Sequence, residues 1–487
     1  MPRNPFQGDC LPGRSPLLAP GSGRPCLPFP HPWNYQRPLE ILDSLFWGAD
    51  DETGPGRHNR YLAVPGSPPI MVTRDPALIR AIATQTGDRP GQFDRDSLPS
   101  TGIARATGED TLLFSNGSMW RRQRKLSAAP FGKTALFRND VFGEFALTFR
   151  ATVGERLGAL REHVAQTGQR RVRVALEHEI KPVMLELLLA NFFSASVPYS
   201  VVRERYVPAL ERVIEHIVRD TVVNRLGVPI GVWPGLTRRV RRVQADYAAF
   251  DELTSLALSA RREGKGLWAL FRSDASDDAL RSNLKVFLAG ALEATTSFAG
   301  WAISHLARSP EDQERVYHEV RNVEEYTPDT LAAAEHFSLV LEETLRLTPS
   351  LYFLPRRATE ETWVEAADGS RMGMPKGTHI LLDVWHANRH EDHWGVEKTG
   401  YPALAFAPDR WRQVRSNGKT PKEFLHYGFG HGARVCPGKH LGMLEVALVV
   451  GAVVKLLRFS AAGEECGVKA GVSTKPADGA LVDLELR

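Results

Sequence analysis

Cysteine is scarce in this chain. Only Cys10, Cys26, Cys436 and Cys466 occur in 487 residues. They show neither the paired spacing of a zinc site nor a disulfide framework, so a disulfide-stapled secreted fold is excluded and a reducing cytoplasm is the expected home. Charge of one sign is also lacking. With 61 basic and 57 acidic side chains the net charge is +4, too balanced to argue for a nucleic-acid partner. Residues 1–32 are rich in proline and contain no apolar run long enough for a signal sequence or a membrane anchor, so none is expected. No internal repeat, Gly-rich dinucleotide fingerprint or flavin segment is visible. Any electrons the chain uses are therefore expected to come from a separate protein. What is present is 43% hydrophobic content, enough for one large core.

The organisation reads as a Pro/Gly-rich leader over 1–35 followed by one domain over 36–487. The leader is expected to be extended and to dock through Phe29, Pro30, Trp33 and Tyr35. The remainder is expected to be mainly α with small β-sheets. Tyr61–Val64 and Ile70–Val72 read as a hairpin. Asp75-Pro76 reads as an N-cap and first-turn proline opening a helix over Ala77–Thr84. Helical periodicity covers Phe142–Ala165, Lys181–Phe193, Val201–Asn224 and Arg239–Arg262, and one long apolar helix is expected over Ser282–Ser304. Thr362–Glu365 and His379–Asp383 are expected to form a strand pair.

The chemistry concentrates in Phe429-Gly-His-Gly-Ala-Arg-Val-Cys-Pro-Gly438. Glycines at 432 and 438 allow a tight turn, Pro437 suits a first helical position, and the apolar run after Lys439 reads as a helix. A cysteine on such a turn is shielded from water and faces free amides and a positive dipole end, which is what a metal-binding thiolate requires. Further upstream, Glu343-x-x-Arg346 lies in a periodic stretch, and Phe406-x-Pro408-x-Arg410-Trp follows about 60 residues later. Trp120-x-x-x-Arg124 places an indole and a guanidinium on one helix face.

In this order and spacing, the motifs resemble the cytochrome P450 superfamily, and the lack of an anchor suggests a soluble, bacterial-type member. The resemblance implies a haem held between a long distal helix and a proximal cysteine loop, with Cys436 as axial ligand to the iron. It gives Trp120, Arg124, Arg356 and Arg434 to the haem propionates, with Arg356 preferred over Arg357. Phe429 is placed beside the sulfur, and Gly438 where the backbone approaches the ring. Glu343, Arg346 and Arg410 become a buried structural network. It also implies a ferredoxin or flavodoxin with its reductase as electron donor, so that NAD(P)H acts only indirectly.

The distal helix departs from the family pattern. Matching its acid to Glu293 puts Ala294 where a threonine belongs and Ala291 where a glycine belongs; matching Ala289-Gly290 instead moves Glu293 out of the acid position. The first register is preferred because it keeps Trp301 and the 306–310 helix end in place. Thr295 or Thr296 then supplies the hydroxyl beside Glu293, unless ordered water or a substrate hydroxyl replaces it. Leu98–Phe114 and the apolar loop Leu226–Leu236 are expected near the pocket. The resulting expectation is an oxygen-dependent monooxygenase of a lipophilic terpenoid, polyketide, steroid or fatty acyl compound. Peroxide-driven or oxygen-independent chemistry on the same fold is the alternative, and a non-enzymatic haem sensor a remote one.

Overall fold

The computed structural model describes residues 38–46, 57–62, 69–86, 92–96, 101–223, 235, 237–263, 267–270, 277–323, 328–416, 426–463 and 466–487. The leader and most of the 226–236 loop lie outside them. Helices dominate and the sheets are small. The helix Pro76–Thr84 starts as expected: Asp75 is its N-cap, and the carboxylate accepts from the amides of Ala77 at 2.8 Å and Leu78 at 3.1 Å. The long apolar stretch forms a single helix, Asp277–Arg308, at the centre of the molecule. It is long and apolar enough to cross a membrane, yet 67% of its apolar window is buried inside the protein. Its Leu284, Leu288, Ala302, Ile303 and Leu306 have no exposed surface. The helices Leu176–Leu187, Lys439–Leu456, Arg238–Arg262 and Glu335–Leu347 pack around it. Truncating one such leucine to alanine costs about 2–5 kcal/mol.

The larger sheet has five strands in the order Asn59–Leu62, Ile70–Thr73, His379–Leu382, Leu354–Ala358 and Phe93–Arg95. Its first two strands form the expected hairpin, with Tyr61 opposite Met71. The expected partnership of Thr362–Glu365 with His379–Asp383 is not found. Thr362–Glu365 pairs with Arg371–Met374, while His379–Leu382 lies between Ile70–Thr73 and Leu354–Ala358. The turn around Gly369 (φ 80°) closes the local hairpin, and His379–Leu382, whose last three residues are buried, takes an interior place in the sheet.

One helix changes pitch at a useful place. Leu176–Leu187 runs into a π-helical turn, Leu188–Phe192, which widens the spiral and turns Leu188 and Phe192 into a cavity. Phe192 stacks on Phe131 with centroids 5.0 Å apart, and Phe131 meets Phe287 edge-on at 5.0 Å. An aromatic wall thus joins three helices.

Candidate active site

The cysteine loop is shaped by local bonds. The Cys436 amide donates to the Phe429 carbonyl at 2.8 Å, and the Gly430 amide to Tyr427 at 2.8 Å. Gly430 (φ 73°) and Gly432 (φ 70°) supply the left-handed turns. Gly432 admits no side chain, since a Cβ there would lie 2.4 Å from the Ala83 carbonyl oxygen. Two details differ from expectation. The following helix begins at Lys439 with Gly438 as its N-cap, so Pro437 precedes the helix, and Gly438 has an ordinary φ of −83°. A Cβ at 438 would lie at ordinary contact distance, 3.9 Å, from Cys436 Sγ and the Phe131 ring. Burial raises the Cys436 thiol, while the Gly438 amide, Arg124 and Lys439 favour the thiolate.

Behind the loop, Glu343, Arg346 and Arg410 have fully buried side chains. Arg346 donates to both Glu343 oxygens at 2.8 Å and to the carbonyls of Asn388, Ala403 and Ala405 at 2.7, 2.8 and 3.2 Å. Arg410 reaches Glu343 at 3.2 Å, and the Trp411 indole reaches it at 3.1 Å. A buried ion group is tolerated only when satisfied this fully. The network fixes the 388–411 segment on one face of the Glu335–Leu347 helix. On the same helix, Leu345 lines the cavity, its Cβ 3.0 Å from where a side chain on Gly428 would begin.

The cavity has a volume of about 420 Å³ and is enclosed by the cysteine loop, the distal helix and the five-stranded sheet. Trp120, Arg124, Arg356, Phe429, Arg434, Cys436 and Gly438 all line it. The inward choice at 356 is settled by strand alternation: Arg356 is 1% exposed, whereas Arg357 faces out. Arg434 lies over the Trp120 ring at 4.3 Å and donates to Ser115 O at 2.8 Å and Asn116 Oδ1 at 2.7 Å.

A fourth cavity arginine was not foreseen from the sequence. Arg95 stands directly across the strand pair from Arg356. Like charges facing across strands repel; burial lowers Arg95 to about 10, and burial together with Arg95 and Arg124 lowers Arg434 to about 9. Burial, then Arg95 and Arg434, hold Arg356 well below its ordinary value. Arg95 Nε and Arg434 Nε are buried without a hydrogen-bond partner. Buried, crowded guanidiniums with unused donors call for anionic groups in the cavity. Two carboxylates on the edge of a flat ring, with a thiolate on its face, fit this donor set. The residues present therefore fit a haem.

On the distal side, Glu293, Ala294 and Thr295 line the cavity. Glu293 is 4% exposed and paired: Lys475 Nζ lies at 2.7 Å, Lys181 Nζ at 3.9 Å, and the Ser473 hydroxyl donates at 3.0 Å. Burial pushes this carboxyl up, but the two lysines outweigh burial and leave it below its ordinary value. Thr295 turns its hydroxyl to the Ala291 carbonyl one turn back. Thr296 does not line the cavity; it is fully buried with its hydroxyl 4.0 Å from the Met184 sulfur. Its hydroxyl is turned to Met184 and away from the cavity, and the expected role for Thr296 is corrected on that ground. Ser473, which touches Glu293, and Ser350, whose hydroxyl donates to Ala294 O at 2.9 Å, are among the cavity hydroxyls missed in the sequence. Of the expected pocket loop, Ile103, Thr107, Leu112 and Leu113 line the cavity.

A mainly helical fold, a half-buried cysteine on a glycine turn and an arginine-ringed, mainly apolar cavity define a haem-thiolate oxygenase. Residues 58–469 match the family model described as Cytochrome P450. The chain is 23% identical over 421 residues to Probable cytochrome P450 313a3 of Drosophila melanogaster, covering 81% of this chain and 79% of that protein. It is 23% identical over 427 residues to Cytochrome P450 714C2 of Oryza sativa subsp. japonica, covering 82% and 74%. Over 222 residues it is 31% identical to Cytochrome P450 monooxygenase FSL4 of Gibberella zeae, covering 43% and 38%. The chain belongs to the cytochrome P450 family and is a haem-iron monooxygenase. These relatives are an insect, a plant and a fungal protein, and they lend no support to the bacterial-type expectation.

Proposed function

We propose that the protein inserts one oxygen atom of dioxygen into a medium-sized lipophilic compound of terpenoid, polyketide, steroid or fatty acyl type. The observation carrying this is the lining of the cavity. Away from Cys436 and the arginines it is built mainly from apolar side chains, among them Ile103, Leu112, Phe131, Phe192, Ile217 and Phe287. When bound, a thiolate-ligated haem activates dioxygen and favours its heterolytic cleavage. The chain's own residues do the rest. Cys436 holds the ligand position, Trp120 and the arginines orient the ring edge, and the aromatic wall excludes stray water. Glu293 and the Ser473 hydroxyl form the proton-handling pair, while Thr295 offers a second hydroxyl once its bond to Ala291 opens. General acid–base help of this kind contributes about 10²–10⁴-fold.

Electrons come from an acidic ferredoxin or flavodoxin served by its own reductase. On the face beneath the cysteine loop, Lys133 and Lys439 are exposed and flank His440, a surface suited to such a donor. We assign residues 36–487 to one catalytic domain and place the protein in the cytoplasm. One second reading has an observation behind it. Ala294 replaces the family's alcohol and Glu293 is held in an ion pair, which favours peroxide-driven oxidation or oxygen-independent rearrangement.

The test is a spin-state titration of the ferric holoprotein with terpenoids, steroids, fatty acids and aromatic polyketides, followed by turnover under isotopically labelled dioxygen. One class should displace the distal water, and its product should carry one labelled oxygen. A product without label, or turnover with peroxide alone, would select the second reading.

A further inference from the structure

Three histidines converge away from the haem cavity, on the edge of the five-stranded sheet. His58 precedes the strand Asn59–Leu62, His390 is the N-cap of the short helix Glu391–Trp394, and His393 lies within that helix. One ligating atom from each lies within 4.8 Å of the others. The ring centroids are 4.6 Å (His58–His390), 4.8 Å (His58–His393) and 5.3 Å (His390–His393) apart. None of the three lines the cavity. Two observations point to a ligand. His58 Nδ1 and His393 Nε2 are buried ring nitrogens without a hydrogen-bond partner. The opposite nitrogen of His58, Nε2, lies 3.3 Å from Asp392 Oδ2, the carboxylate–histidine contact that orients a metal-binding imidazole and strengthens it as a donor.

From this geometry we infer that His58, His390 and His393 form a binding site for a divalent late transition ion of the zinc class, with solvent in the fourth position. Imidazole nitrogens are the preferred ligands for such ions, and zinc binds them at about 2.0–2.1 Å. Three nitrogens on one tetrahedral ion stand about 3.3 Å apart, so the cluster closes from 4.8 Å by small ring rotations. The surrounding charge suits a cation. Asp392 shares the site, Asp75 and Asp368 lie near enough to interact with His58, and Arg57 and Lys398 are the opposing charges. A bound ion would tie the start of the first strand to the helix 330 residues later, independently of the haem.

The experiment is zinc analysis of the holoprotein after equilibration with zinc chloride and exhaustive dialysis, on wild type, His58→Gln and His393→Gln, with the thermal midpoint measured with and without zinc. The holoprotein spectrum reports folding of each variant. Wild type should retain about one zinc per chain and gain thermal stability, and each folded variant should lose at least nine-tenths of that zinc and the gain. Wild type that holds less than a tenth of an equivalent, or variants that retain zinc as wild type does, would overturn the site.

Discussion

Arg346→Ala tests how the fold holds the cysteine loop. The substitution removes two bonds to Glu343 and three to main-chain carbonyls, all at 2.7–3.2 Å in a fully buried setting. Glu343 keeps Arg410, the Trp411 indole and the Ala407 amide, so its charge is weakened in support but not isolated. The carbonyls of Asn388 and Ala403 each lose the arginine's donor, at about 1–3 kcal/mol for a buried group left unsatisfied. Breaking a buried pair from one side costs about 3–5 kcal/mol in all. A chain of this length unfolds with an entropy of about 1 kcal/mol/K, so the midpoint falls by about 3–5 °C. The control is Arg415→Ala, whose pair with Glu342 at 2.8 Å leaves the arginine side chain 49% exposed and contributes about 0–1 kcal/mol. Differential scanning calorimetry of both variants, with haem content per chain as a second readout, decides. An Arg346→Ala protein no less stable than Arg415→Ala, with full haem content, would refute the network's role.

Other outcomes follow from the same geometry. Arg95→Leu removes one of two buried guanidiniums facing each other, so the apoprotein should melt higher than wild type while the holoprotein loses haem faster to an acceptor protein; haem-transfer kinetics and apoprotein melting check the pair. Burial raises Glu445 to about 8 from 4.5, so the folded state binds its proton more tightly. That contribution is complete below pH 4.5 and is lost as pH rises toward 8, at up to about 1.4 kcal/mol per pH unit. Glu445→Gln should flatten this slope, as denaturation at pH 6 and pH 8.5 would show. Ser473→Ala leaves Glu293 its lysines but removes the neighbouring hydroxyl, and turnover with dioxygen should fall at least tenfold while substrate-induced spin shifts persist; unchanged turnover would assign the relay elsewhere.

Much of the cavity was legible because its chemistry is written in short motifs. A cysteine between glycines, Trp120 and Arg124 one helical turn apart, and Glu343 with Arg346 each depend on neighbours close in sequence. The distal helix was legible from its long, largely apolar run. What escaped depends on distant pairing. Arg95 gains its meaning only from standing opposite Arg356 in the sheet, and Lys181 and Lys475 meet Glu293 from elements more than 100 residues away on either side. The choice between Thr295 and Thr296 was not legible because it depends on Met184, a residue far away in sequence, against which Thr296 is buried. The strand pair at 362–383 failed because similar apolar patterns do not state which neighbour a strand will take.

The central claim is that Cys436 supplies the sulfur bound to haem iron. Iron-edge X-ray absorption of the ferric holoprotein tests it most directly, applied to wild type and Cys436→His. Wild type should show one sulfur in the iron coordination shell, and the variant none. A sulfur that persists in Cys436→His, or none in the wild-type protein, would contradict it.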